Sequence, residues 1–454
     1  MPILFCSVLL PLLLSFFATL TAAVMAYGTD PRWVQRGHWG ISLIMLSRRM
    51  QWPMVAVSLI LCVALFGVVI SGKRRVWWLL GLLPVLALFG HRFVTGPANR
   101  YAVLDEPPMV SAAEAKNLKP GDYVVGVVIN DQPYAYPFAA LYSNPVVVQS
   151  EREKRLLLMW SPFANAATAL EVTRDVKGRD LEVVSDPADS LLVYDGRTGQ
   201  FLVALTGQPP RGGKLTGVEG ALPVVKETWG QWAAEHPETK VFALAGGGPT
   251  APVLPRGPAA ASPAGKRLVT LIGADSPFAI PTDEIGGAPL NTTAGGTPIL
   301  LFRDKTTGRV RAFDRHIDSD LVPVFTPARS GDAKHRNAFM IDSDANSGWS
   351  ATGVAVDGDK ALKGKRLKPV EVREDVYFGP ASFWYPKLAM YGGDAALAAA
   401  ATRSSSSEGR ADAQGAHDAP AGSRLENGKP AAGHDTKGNH PSPPRTRRPR
   451  PKKT

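Results

Sequence analysis

Three strongly apolar runs stand out in the first 93 residues, the first two without a charged side chain. The first spans about residues 3–26 and carries no Lys, Arg, Asp or Glu. At about 1.5 Å per residue, a helix of that length crosses a hydrocarbon core of roughly 30 Å. A cleaved signal peptide is the competing reading, because Ala22-Ala23-Val24-Met25-Ala26 offers small residues. The missing N-terminal Lys or Arg and the length of the run favour the helix. The second run, 53–71 (PMVAVSLILCVALFGVVIS), has no polar face at any period, as expected of a helix in lipid rather than a half-buried one. The third, about 76–93, follows Lys73-Arg74-Arg75 and opens on Trp77-Trp78, aromatics suited to a membrane interface. Runs two and three read as a helical hairpin.

The pattern then changes. Between about 94 and 395, short Val/Leu/Ile runs alternate with Gly, Pro, Asp and Asn, which predicts strands and tight turns. Asn130-Asp131 between two apolar runs predicts a hairpin turn. One helix is expected, about Glu227–Glu235, ahead of His236-Pro237. Landmarks recur in order across the region. Tyr134-Ala135-Tyr136-Pro137 matches Phe278-Ala279-Ile280-Pro281, and the strand Leu156–Trp160 matches Pro298–Phe302. The Asp195 turn matches the Asp342 turn, Thr206-Gly207 matches Thr352-Gly353, and Gly212-x-x-Leu215 matches Gly364-x-x-Leu367. The fold class expected is therefore mainly β (a β-rich α+β domain), duplicated, behind N-terminal transmembrane helices. The expected boundaries are an anchor at 1–93, a first half at 94–245, a flexible Gly/Pro/Ala linker at 246–265, a second half at 266–395, and a disordered tail at 396–454.

Charge refines this picture at two places. The chain carries a net +11, but residues 401–454 hold 11 Lys/Arg against 5 Asp/Glu. Over half of the excess thus lies in a tail too poor in apolar residues to offset the entropy of ordering. The middle has no basic run, so no nucleic-acid partner is expected. If the tail were cytoplasmic, its RTRRPRPKK end could meet anionic lipid. Arg32, Arg36, Arg48, Arg49, Arg92 and Arg100 lie on one side of the three runs, and Lys73, Arg74 and Arg75 on the other. That balance favours a cytoplasmic domain. The only cysteines are Cys6 and Cys62, both in apolar runs, so the β-rich region can hold no disulfide, thiolate zinc site or thiol nucleophile.

The middle resembles the prokaryotic family catalogued as domain of unknown function 3179. The resemblance rests on Val125-Gly126-Val127-Val128-Ile129 with Ala135-Tyr136-Pro137, on Tyr194-Asp195 with Thr198, and on Leu205-Thr206-Gly207. Thr228-Trp229-Gly230-Gln231-Trp232 and His236-Pro237-Glu238-Thr239 extend it, and it covers about Leu118–Tyr391. It implies no established activity. Members often look exported or lipid-anchored, which favours an extracytoplasmic domain, against the charge balance. The family usually shows Cys-Pro-x-Cys after the strand at Leu156–Trp160, where this chain has Ser161-Pro162-Phe163-Ala164. Thiol exchange or soft-metal binding at that place is beyond these residues.

Candidate chemistry is sparse. Ser161 has no Gly-x-Ser-x-Gly elbow and reads as a turn serine. His236 reads as a helix C-cap in the helix dipole. Asp342, Asp344 and Asn346 begin like a calcium loop but lack its later glycine and glutamate, so a turn shared with Asp195 is the simpler reading. Trp229 and Trp232, at helical spacing, read as core. Asp195, Trp229, Trp232, His236, Asp342 and Trp349 remain the candidate ligand-binding residues, with no cofactor or metal and no catalytic residue assigned. The function expected is a non-catalytic binding or assembly module in the cell (inner) membrane, multi-pass, its partners being the lipid bilayer and a protein or small ligand. An enzyme or redox/metal protein with a site between the halves is the alternative.

Overall fold

The computed structural model describes residues 2–36, 39–71, 76–96, 100–243, 247–255, 263–273, 277–317, 321–329, 335–358, 360 and 362–392. The tail expected at 396–454, the basic turn Lys73–Arg75 and the middle of the expected linker lie outside these residues. N-terminal apolar helices precede a β-rich domain, as the sequence predicts.

Helix α1 runs Pro2–Tyr27, α2 Trp39–Arg49, α3 Gln51–Ser71 and α4 Leu82–Thr95, the last preceded by a 3-10 turn at Val76–Gly81. Within them, Val8–Tyr27 and Gln51–Ser71 are long and apolar enough to cross a membrane, by length and composition. They pack through small residues. Ala18 and Ala22 are buried with Val85, and Ser58 donates to the Ala18 carbonyl at 3.3 Å. Small side chains let the helix backbones approach closely.

The structure departs from the sequence reading at α2, which stands where a plain loop was expected. Ile41 and Ile44 are buried in a core shared with strands from both halves of the β-rich region. Arg48 pairs with Glu182 at 2.6 Å and lies over the Tyr194 ring, and Arg49 donates to the Gly199 carbonyl at 3.1 Å. Ser185 donates to the Thr29 carbonyl at 2.6 Å. Two of the arginines counted toward membrane orientation are thus engaged with the domain.

In the first half, the first sheet has the order Val224–Thr228, Tyr123–Ile129, Gln132–Pro137, Lys240–Phe242, Met109–Ser111. The second half begins with a sheet ordered Val372–Tyr377, Leu268–Ile272, Phe278–Pro281, Ala389–Met390. In each, two consecutive strands form a hairpin, a late strand joins antiparallel on one side, and the last strand joins parallel on the other, where Met109–Ser111 adds a further edge strand in the first half. The predicted turn is present: Asn130 and Asp131 have φ of 49° and 61°, as a two-residue type I′ hairpin requires. A helix precedes each parallel strand. Helix α5 (Phe138–Leu141) follows the first hairpin, α6 covers Trp229–Glu235 and α7 covers Phe378–Trp384. Strand pairing extends through Thr228, so α6 starts two residues later than expected, on a Thr228/Gln231 capping box. Helix α7 was not foreseen.

The second sheet of the first half comprises Val103–Asp105, Val146–Glu151, Lys154–Ser161, Ala166–Val172 and Val218–Leu222. Its counterpart comprises Leu290–Ala294, Thr297–Arg303, Val310–Asp314 and Lys368–Pro369. The third sheets are meanders, Leu181–Ser185, Leu192–Asp195 and Gln200–Val203 in one half, and Phe325–Pro327, Met340–Asp342, Gly348–Trp349 and Ala355–Asp357 in the other. Gly207 and Gly353 both have φ near +70° (69° and 74°). A Cβ on Gly207 would stand 2.7 Å from Thr168, and one on Gly353 2.7 Å from Phe313, each a residue of the adjacent second sheet.

The cores stack along these layers. Trp229 and Trp232 of α6 cover one face of the first sheet, and Gly126 is obligatory there because a Cβ would lie 2.3 Å from the Trp232 ring. The other face, with Val125, Tyr134 and Tyr136, packs on Leu156, Leu158 and Trp160 of the second sheet. Of the expected linker, 247–255 is described. Gly248 donates to the Ala139 carbonyl at 3.2 Å, and the Thr250 carbonyl accepts from the Tyr123 amide at 2.8 Å.

Candidate functional site

The six residues singled out in the sequence fall into three separate places. Asp195 accepts from the amides of Arg197 (2.9 Å) and Thr198 (3.4 Å) and from the Thr198 hydroxyl (2.6 Å). Asp342 accepts from the amides of Asp344 (3.1 Å), Ala345 (2.6 Å) and Ser347 (3.1 Å) and from the Trp349 indole (3.0 Å). Both carboxylates therefore organise turns, which is the Asx geometry expected of them. Trp232 donates to Thr239 at 2.9 Å, and the His236 ring lies 4.1 Å from the Trp232 ring. Burial lowers the His236 pKa, outweighing the nearby Glu235 carboxylate. His236 is the C-cap residue of α6, and its imidazole packs against the Trp232 ring. Trp229, Trp232 and His236 belong to α6 and its cap, Asp342 and Trp349 to the last meander, and Asp195 to another. Among the described residues, no group of three or more His, Cys, Asp or Glu side chains is placed to hold a metal ion.

Residues of the two halves meet at two other places, a polar seam and a cleft. At the seam, the edge strands Val224–Thr228 and Val372–Tyr377 come together with the turn after Ser161. The Lys226 ammonium bonds the Asn165 carbonyl and lies 3.3 Å from that of Asp375. Asn165 Nδ2 donates to the Asp375 carbonyl at 2.6 Å, and the Tyr377 amide donates to the Ala164 carbonyl at 3.1 Å. Asn165 and Asp375 both have left-handed backbones, φ 49° and 51°, which turn those carbonyls toward the ammonium's side of the seam. Arg309 reaches across to Glu227 at 2.6 Å and Glu235 at 2.9 Å. Burial drives the Lys226 pKa down to about 8, with Asp375 and Glu374 opposing, and raises the carboxyls of Glu227 and Glu374. Ser161 and Ala164, at the positions where the resembled family carries cysteines, are fully buried here, and Ser161 donates to the Asp189 carbonyl. The Lys226 partners are backbone carbonyls of two chain segments, so its chemistry is that of a clamp.

The cleft has a volume of about 630 Å³. Its walls are Ile41 of α2, Val203 and the Thr206–Gly213 loop of the first half, and Phe383–Lys387 at the end of α7. It is built this way because Ile41, Val203, Trp384 and Tyr385 all belong to the core that joins the halves. Arg373 fixes the floor by donating to the Leu205 carbonyl at 2.7 Å and lying 2.9 Å from the Tyr385 hydroxyl. The Trp384 indole N–H is buried and makes no hydrogen bond. Among the described residues, Arg211 and Lys387 are the charged residues of the lining, and no carboxylate joins them. A largely pre-formed, aromatic-lined cleft of this size with a few polar groups is the usual form of a small-ligand site. Sequence reasoning missed it because its walls come from three distant segments. The available signal was the aromatic triplet Phe383-Trp384-Tyr385, placed after a loop rich in Pro and Gly in the other half.

The fold and the cleft define a class: a β-rich protein of two similarly paired halves, with apolar N-terminal helices and a ligand-sized cleft where the halves join. The family model described as "Protein of unknown function (DUF3179)" matches residues 102–387, well over half of the chain, and the chain belongs to that family. No curated protein and no solved structure matches it.

Proposed function

We propose that this chain is a membrane-tethered binding module, built from two copies of one β unit, whose ligand seats in the cleft between them. The observation that carries the reading is the cleft itself. It is walled by both halves and by α2, the helix that leads directly into the apolar segment Gln51–Ser71. Tethering is supported by α1 and α3, and by the Val76–Thr95 segment. Six residues of 3-10 helix and 14 of α-helix give the latter a length of about 33 Å, close to the bilayer core.

The test uses full-length protein extracted from membranes in mild detergent. Molecules that co-purify with it are identified by mass spectrometry, in parallel with Gln208→Trp, which places a large ring at an exposed position of the cleft wall. A specific molecule retained by the parent chain and lost from the variant is the expected result. Recovery of the same molecules from both, or full-length protein that partitions into the aqueous fraction without detergent, would sink the reading.

A further inference from the structure

We propose that the occupant of the cleft is an anionic amphiphile: a molecule with a phosphate or carboxylate head and an apolar body, drawn from the surrounding bilayer. This rests on the reading of the cleft as a ligand site and adds what the site selects. Charge is the first argument. Arg211 and Lys387 are exposed and come from different walls, one on the loop of the first half and one after α7, and no carboxylate among the described residues lines the cleft with them. A head of negative charge is the complement that two such cations select. Arg211 bonds Ser42 of α2, which holds its guanidinium on the helix side of the cleft.

The rest of the lining suits an apolar body. Phe383, Trp384 and Tyr385 follow one another along one wall, and Pro209 and Pro210 face the cleft from the other. The Trp384 indole N–H is buried without a hydrogen bond to the described residues. Location is the third argument. Ile41 lies in the cleft wall and α3 starts at Gln51, so about 15 Å of helix separates the cleft from the start of an apolar segment able to cross a bilayer. An amphiphile with its chain in lipid has a short path to the cleft.

The experiment is equilibrium dialysis of full-length protein in neutral detergent against octyl phosphate below its micellar concentration. Inorganic phosphate and octyl glucoside serve as separate probes. Octyl phosphate is expected to bind saturably, one per chain, and at least tenfold more tightly than either of the others. The double variant Arg211→Glu/Lys387→Glu is expected to weaken it at least tenfold at unchanged unfolding temperature. Lys387→Glu alone, at an exposed side chain, decides the matter if the double change disturbs folding. Octyl glucoside binding as tightly as octyl phosphate, with the variants indifferent, would overturn the anionic selection while leaving a ligand site in place. Inorganic phosphate binding as tightly as octyl phosphate would overturn the apolar body. Binding of no probe, with nothing co-purifying, would remove both this proposal and the reading under it.

Discussion

The two third sheets, 181–203 and 325–357, are meanders hinged on an Asp-led turn, yet they occupy different surroundings. In the first half the sheet is covered on both faces. Val183, Val193 and Leu202 pack on the second sheet, while the alternate residues Val184, Leu192, Phe201 and Val203 pack on the second half and on α2. In the second half the described residues pack one face fully and leave part of the other open. Phe325, Met340, Trp349 and Ala355 pack on Leu300, Phe302 and Phe313, while Thr326 and Pro327 are exposed. Strand side chains alternate faces, so a sheet with two covered faces draws stability from every residue and one with a single covered face from every second. The difference shows why the turn aspartates carry unequal loads. Asp342 holds three amides and the indole of a fully buried tryptophan, whereas Asp195 holds two amides and a hydroxyl.

The largest expected effect follows directly. Asp342→Ala leaves three amides and an indole N–H without their acceptor in a small core, and should cost about 4 kcal/mol. Asp195→Ala, in the sheet braced from both sides, should cost about 1–2 kcal/mol. Thermal unfolding of the detergent-solubilised chain compares them. Equal losses would mean that the bracing of the first meander carries no weight. The next effect tests the bracing itself. Ile44 is fully buried between the two halves, and Ile44→Ala should cost about 2–4 kcal/mol through the lost contacts and the cavity left behind. A loss under about 0.5 kcal/mol would show that α2 merely rests on the domain and that the comparison of covered faces fails.

Much of this was legible along the chain, because the deciding forces were local. Uncharged runs announce apolar helices, and Asn130-Asp131 tolerates the left-handed backbone of a tight hairpin. The Asp195 and Asp342 turns were recognisable because a carboxylate bonding its own following amides is a short-range device. Helix α2 carried a signal that went unread: Ile41, Ile44 and Arg48 recur at three- and four-residue spacing, which puts them on one face. Lying between two apolar runs and spanning 11 residues, it is too short to stand out by period, and its stability comes from the core it enters. Helix α7 was hidden by Gly379-Pro380, which reads as a breaker yet falls in the first helical turn, where proline is tolerated. The cleft and the Lys226 seam were out of reach for a different reason. Residues 41, 203–213 and 383–387 meet only through the packing of three sheets, and no local pattern encodes such a meeting.

The seam offers the smallest and most diagnostic effect, since it joins the two halves whose surroundings differ. The Lys226 pKa falls from 10.5 to about 8 in the folded protein, because its ammonium is enclosed. Below about pH 8 the lysine is charged in both folded and unfolded states, and burial of that charge weakens the fold. Between pH 8 and 10.5 the unfolded chain holds a proton that the folded protein has shed, so this group adds stability as pH rises, on the order of 3 kcal/mol over the whole interval. Burial raises Tyr136 and Tyr377 above their usual value, and these act in the opposite sense near pH 10, because the unfolded chain ionises them first. The difference between parent and Lys226→Met cancels the tyrosines and isolates the lysine. At pH 7 the methionine variant should lie within about 1 kcal/mol of the parent, because removing an enclosed charge offsets the loss of its bonds to two carbonyls. As pH rises from 7.5 to 10, the parent should gain about 2 kcal/mol on the variant. A difference that stays constant across that range would show that the ammonium is hydrated at the seam, and that the halves are joined by the Ile41 and Ile44 core rather than by a clamp.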